Sequence, residues 1–168
     1  PSTGAPWESV LEVNIKGTYG AYEGARRAGT QRLVFASSNH ATGFYEQEGV
    51  YTTPEMPVRP DSLYGVSKSF GEDLARFYVD QHGMKAYCLR IGSFQPDSAV
   101  ENRQSDRILS TWLSYRDTVQ LVWRCLQVES VDFGIYYGIS GNERAYWDTE
   151  NARRDLGYAP EDDAERFV

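Results

Sequence analysis

A tyrosine and a lysine stand four residues apart in "YGVSK", residues 64–68. Near the start of a helix that spacing puts Tyr64 and Lys68 on one face, within reach of each other. An ammonium beside a phenol favours the phenolate, and such a phenolate is a general base for a hydroxyl proton. Two serines, Ser37 and Ser38, close the run "RLVFASS". A hydroxyl from one of them, placed beside Tyr64, would hydrogen-bond the same substrate oxygen. Taken alone, the pentapeptide reads more readily as a surface turn with an amphipathic Tyr64 and a solvated Lys68, so the surrounding elements decide.

Leu11, Ile15, Thr18, Tyr22 and Ala25 recur at steps of four and three, which predicts a helix over 7–29 stopped at Gly29. Residues 33–36 form an apolar run of the kind buried on both faces of a parallel sheet, which predicts a strand. Gly43, Gly49, Pro54, Pro57 and Pro60 break any period over 39–62, a long connection read as a functional loop. Ser67, Phe70, Leu74 and Phe77 carry a helix from 63 to a stop at Gly83, and "KAYCLRIG" reads as a second strand. A polar loop with Pro96 follows, then a helix over 115–128, a strand over 134–140 and a short helix capped by Asp148 or Thr149.

Strand, loop, helix and strand in that order make a right-handed crossover between parallel strands, whose ligands collect at the carboxyl ends. Those ends read "SSNH" and "GSFQ". The predicted fold class is α/β, the C-terminal portion of a Rossmann-like doubly wound parallel sheet. Two or three strands leave edges open and faces half covered, and no GxGxxG occurs. The expectation is therefore an incomplete fold lacking its N-terminal β-α-β glycine-rich unit, with 1–168 as one partial domain and substrate-binding segments over about 93–168.

A chain of 168 residues, 40% apolar and 14% aromatic, suffices for one core. Its net charge of −7 argues against a nucleic-acid partner, which needs clustered cations. No run approaches the roughly 20 apolar residues of a membrane span. Cys88 and Cys125 lie in apolar stretches without metal-ligand spacing, so they read as core thiols of a cytoplasmic protein with no metal site.

Taken together, these motifs resemble the extended short-chain dehydrogenases/reductases. Tyr64-x-x-x-Lys68 follows Ser38 and precedes "LRIG" at 89–92, and "NIKGT" at 14–18 matches the family's asparagine in the helix before the serine strand. The resemblance makes Asn14 a helix-kinking or proton-relay residue. A narrower likeness, to members that oxidise hexuronic acids, rests on "FASSNHATGFY", "YGVSK", "RIGSF" and "RILSTWLSYRD" and runs from residue 1 to about 165. It implies NAD-dependent oxidation of the C1 hydroxyl of glucuronate or galacturonate to an aldaric acid lactone.

By that likeness Ser38, Tyr64 and Lys68 are catalytic, Ser37, Tyr64, Lys68 and Ile91 bind NAD, and Ser2, Asn39, His40, Ser93 and Arg107 contact the sugar acid. Arg107 is preferred to Arg103 because it directly precedes "ILSTWLS". The resemblance also implies a homo-oligomer through helices 7–29 and 63–83, whose Tyr19, Tyr22, Phe77 and Tyr78 exceed one core-facing stripe. The alternatives are a nucleotide-sugar epimerase or dehydratase of the same superfamily, and a non-catalytic dinucleotide-binding relative or inactive fragment.

Overall fold

The computed structural model describes residues 3–168. Its strands are β1 (Arg32–Ser38), β2 (Lys85–Ile91), β3 (Ser93–Phe94), β4 (Trp112–Leu113) and β5 (Phe133–Gly138). β1, β2 and β5 form a parallel sheet in the order β1-β2-β5, and β3 pairs with β4 in a second, two-stranded ladder. Among the described residues no strand pairs with the far edge of β1.

The central strand β2 is buried on both faces, and its side chains alternate between two cores. Ala86 and Cys88 face a cluster with Tyr22, Ala75, Tyr78 and Met84, whereas Tyr87 and Leu89 face Leu121, Cys125, Ala152, Leu156 and Tyr158. Helices therefore cover both sides of the sheet, as its continuous apolar strands require. On the first side lie α1, spanning 7–27, and α3 (Leu63–His82), with the short α2 (Gly43–Gln47) between them in sequence. After α4 (Asp97–Glu101) and α5 (Arg107–Thr111), the second side is covered by α6 (Tyr115–Gln127) and α7 (Glu150–Leu156).

Several expectations shift in detail. The helix expected over 7–29 ends two residues earlier, and its segment Val10–Lys16, which contains Asn14, is π-helical. The connection 39–62 is not bare loop: it opens with a 3-10 turn, Asn39–Thr42, followed directly by α2. At α7 the competition between two caps is resolved, since the Glu150 N–H donates to Asp148 Oδ1 at 2.8 Å and Thr149 makes no side-chain cap.

Two of the four aromatics counted as surplus belong to the core. Tyr22 and Tyr78 are buried and stacked with ring centres 5.4 Å apart, which leaves Tyr19 and Phe77 as the exposed pair. Cys88 and Cys125 are free, buried thiols. No helix among the described residues is long and apolar enough to cross a membrane.

Candidate active site

The carboxyl ends of β1 and β2 open into a cleft of about 410 Å³, lined in part by Ser38, Asn39, His40, Tyr64, Lys68 and Ile91. Register brings Ser38 level with Ile91 across the two strands. Helix α3 begins at the same end because Ser62, in extended backbone, accepts a hydrogen bond from the Gly65 N–H at 3.1 Å and caps the first turn. Tyr64 then falls in that turn, with Lys68 one turn further on the same face.

Lys68 Nζ donates to the Ala36 carbonyl at 2.7 Å and lies 5.4 Å from the centre of the Tyr64 ring and 5.2 Å from that of Phe35. Burial lowers its pKa from the ordinary lysine value. An ammonium has three donors, and the two that Ala36 leaves have no partner among the described residues.

The paired serines diverge. Ser38 lines the cleft and its Oγ accepts from the His40 N–H at 3.2 Å. The Ser37 hydroxyl turns to the interior and donates to Glu72 Oε1 at 2.6 Å. Glu72 in turn holds Arg90 through two bonds, of 2.9 Å from Nε and 2.8 Å from Nη2, in an ion pair almost fully shielded from water. Arg90 also reaches the Pro54 carbonyl at 3.3 Å and stands over the Tyr137 ring. Sequence reasoning missed this network. Glu72 is eight residues beyond Tyr64, two turns along the same helix, and that spacing beside a strand arginine was the available signal.

Asn14 Nδ2 donates to Ser67 Oγ at 2.7 Å, and Ser67 Oγ donates to the Tyr64 carbonyl at 2.6 Å. The π-helical segment is thereby tied to the backbone of Tyr64. Such single-turn π segments recur at functional sites.

His40 follows Ser38 and Asn39 in the 3-10 turn, and its ring meets Tyr64 edge-on with centres 5.8 Å apart. Its Nδ1 lies 2.8 Å from Asp61 Oδ2 and 3.0 Å from Oδ1. A carboxylate accepts only, so Nδ1 carries a proton, and in the neutral ring Nε2 would then be the acceptor. Nε2 has no partner among the described residues. Asp61 was missed because it reads locally as a polar residue before a helix cap.

Asn39, oriented to satisfy its amide, donates to the Ile91 carbonyl at 3.0 Å and accepts from Arg107 Nη2 at 3.1 Å. Arg107 lies beside the main cleft, where it and Ser93 line an adjoining hollow of about 250 Å³. Ser93 Oγ is 2.8 Å from Thr111 Oγ1 and 3.4 Å from Arg107 Nη1. The guanidinium is also bound side-on by Glu46, through Nε and through Nη2 to Oε2 at 2.9 Å, which raises its pKa. Arg103 is committed elsewhere, to Asp106 at 3.1 Å and the Phe167 carbonyl at 3.1 Å. Ser2 lies outside the described residues.

Residues 4–165 match the model of the family described as NAD dependent epimerase/dehydratase. The chain belongs to that family. Among the family's curated members, a uronate dehydrogenase of Pseudomonas syringae pv. tomato is 44% identical over 162 residues, 96% of this chain and 56% of that protein. The crystal structure of glucuronic acid dehydrogenase from Chromohalobacter salexigens superposes with a TM-score of 0.90 at 38% identity, covering 99% of this chain and 60% of that one. The crystal structure of uronate dehydrogenase from Agrobacterium tumefaciens gives 0.89 at 41%, again with 99% and 60% covered. The chain thus spans under two thirds of these epimerase/dehydratase-family relatives. The α/β fold and the extended short-chain kinship expected from Ser38, Tyr64-x-x-x-Lys68 and Asn14 agree with these matches.

Proposed function

We propose that the whole protein oxidises the C1 hydroxyl of a hexuronic acid, glucuronate or galacturonate, to an aldaric acid lactone with NAD, and that this chain supplies the base and the sugar-acid contacts. The observation that supports this best is the meeting of Ser38, Tyr64 and Lys68 in one cleft of a chain whose relatives include uronate dehydrogenases. In this reading Tyr64 Oη takes the proton of the C1 hydroxyl. Lys68, fixed by the Ala36 carbonyl, holds its positive charge beside the tyrosine ring and stabilises the phenolate. Ser38 Oγ donates to the same sugar oxygen and keeps it aligned with Tyr64. With its ring neutral and Nδ1–H directed to Asp61, His40 takes a hydrogen bond at Nε2 from a neighbouring sugar hydroxyl.

The residues present fit one end of a dinucleotide. Lys68 keeps two N–H donors for ribose hydroxyls, and Ile91 offers an apolar wall at a strand end. Ser37 contributes through its backbone, because its hydroxyl is bound to Glu72. When bound, NAD supplies the acceptor for the hydride that leaves C1.

The protein is placed in the cytoplasm, where its two free buried thiols stay reduced, and it is read as a homo-oligomer through α1 and α3. The test of the activity is NADH formation by the whole protein with glucuronate and galacturonate, set against epimerisation of a uridine-diphosphate sugar. Tyr64→Phe should abolish nearly all turnover while sugar-acid binding stays within a few-fold. Epimerisation without uronate oxidation would replace this reading with the nucleotide-sugar one.

A further inference from the structure

A guanidinium offers two forks to carboxylates, a side fork of Nε and Nη2 and an end fork of Nη1 and Nη2. In Arg107 the side fork is held by Glu46, and the end fork faces Ser93 Oγ on one nitrogen and the Asn39 side-chain oxygen on the other. Asn39 lines the main cleft, so the end fork is the one turned toward it. Glu46 is itself braced: Tyr146 Oη donates to Oε1 at 2.8 Å. Burial, and then the Glu46 carboxylate, raise the Tyr146 pKa and keep that phenol a donor. Tyr146 packs edge-on against Trp147, which stacks on Tyr137 at 5.4 Å, and the Arg107 guanidinium stands 5.8 Å from the Trp147 ring.

We infer that Glu46 is a positioning residue for acid selectivity: by occupying the side fork it locks Arg107 with its end fork toward Ser93 and Asn39, where a substrate carboxylate docks. This rests on the reading of the cleft as a hexuronate site. Arg107 keeps 41% of its side chain exposed, so packing alone does not fix a side chain with that many rotatable bonds. The bidentate Glu46 pair, with Tyr146 behind it, is the restraint. Glu46 touches no reacting atom and acts only through Arg107.

The experiment is steady-state kinetics of Glu46→Gln in the whole protein, with a hexuronate and the matching neutral hexose, plus thermal unfolding to confirm folding. A neutral amide cannot hold both nitrogens of the side fork as an acceptor pair, so KM for the hexuronate should rise roughly 5- to 50-fold. Activity on the hexose should change by no more than about twofold. Tyr146→Phe, which leaves the carboxylate but removes its brace, should shift selectivity in the same direction by a smaller factor. A fall in hexuronate KM on Glu46→Gln would mean that Glu46 competes with substrate for Arg107, and the inference is then wrong. Equal effects on acid and neutral sugar would also overturn it. Wild-type protein that does not oxidise hexuronates at all overturns the functional reading itself, a result visible before any variant is made.

Discussion

The Cα of Gly65 packs so closely beneath the carbonyl of His40 that a Cβ built on it would sit 2.2 Å from that oxygen. Glycine at the second position of "YGVSK" therefore lets the first turn of α3 rest on the 3-10 turn that carries Asn39 and His40. The contact brings Tyr64 and His40 to the same cleft.

Gly65→Ala forces one of these two backbones to move, because the obstructing atom is main chain and no rotamer change relieves it. Overpacking of this kind costs about 1–3 kcal/mol, against a helix-propensity gain of about 1. A displacement near 1 Å at a catalytic group lowers turnover about 100-fold. The variant should be modestly destabilised and lose far more activity than stability. Gly20→Ala is the control: nothing lies within 4 Å of its Cβ position, and the exchange should raise stability by up to about 1 kcal/mol with unchanged kinetics. Chemical unfolding and kcat/KM on both variants decide it, and a Gly65→Ala protein as active as wild type would remove the contact from the site.

The choice between two arginines in one loop is equally open to measurement. Each charge-assisted hydrogen bond is worth roughly 1.5–3 kcal/mol, and about 1.4 kcal/mol is tenfold in rate. Arg107→Met should lower kcat/KM for hexuronates by about 10- to 100-fold or more and barely change the poor activity on neutral sugars. Arg103→Met breaks the link to the Phe167 carbonyl and should lower stability without changing the acid-to-neutral ratio. If Arg103 shows the selective loss, the carboxylate is read from the other side of the 250 Å³ hollow that both residues line.

What could be read from the sequence was local. The parallel strands either side of α3, α3 with its glycine stop and the Tyr64–Lys68 face follow from periodicity and spacing, and these survive without knowledge of distant partners. What could not be read was the pairing of charges across the chain. His40 and Asp61 are 21 residues apart, Arg107 and Glu46 are 61, and nothing in the short stretch around Asp61 or Glu46 distinguishes it from a solvated acid. The divergence of Ser37 from Ser38 is legible only in retrospect: neighbours on a strand face opposite ways, so one hydroxyl had to leave the cleft. Counting four surplus aromatics failed for a related reason, since Tyr22 and Tyr78 bury each other between two helices that the periodicity treats one at a time.

Tyr19 and Phe77 remain 52% and 51% exposed on α1 and α3, with Val13 and Val66 also exposed on the same two helices. Apolar groups of this size on adjoining helices are a suitable seam for a second copy of the chain. The Tyr19→Asp/Phe77→Asp double variant should shift the whole protein toward monomer in sedimentation velocity at micromolar concentration. Wild-type protein that sediments as a monomer under the same conditions rules the seam out.

Behind the cleft, Arg90 and Glu72 form a buried pair whose partners tie three elements together: β2 through Arg90, α3 through Glu72, and the end of β1 through the Ser37 hydroxyl. Removing one partner of such a pair leaves a charge without its counterion and costs about 3–5 kcal/mol, whereas apolar replacement of both is often close to neutral. Arg90→Met and Glu72→Leu should each lower the unfolding free energy by that amount. The double variant should lose less than the sum of the two, because neither charge remains, though Ser37 and the Pro54 carbonyl lose a partner at about 1–3 kcal/mol each. Function should not recover with stability. Without Glu72 the Ser37 tie between β1 and α3 is lost and the Lys68 bond to the Ala36 carbonyl is left to join the strand end to that helix. Ser38 and Lys68 sit on those two elements, so the double variant should fold yet remain well below wild-type kcat. Additive losses across the cycle would show that the two charges are screened and act independently; a double variant with wild-type kcat would show that the pair stabilises the fold without positioning the site.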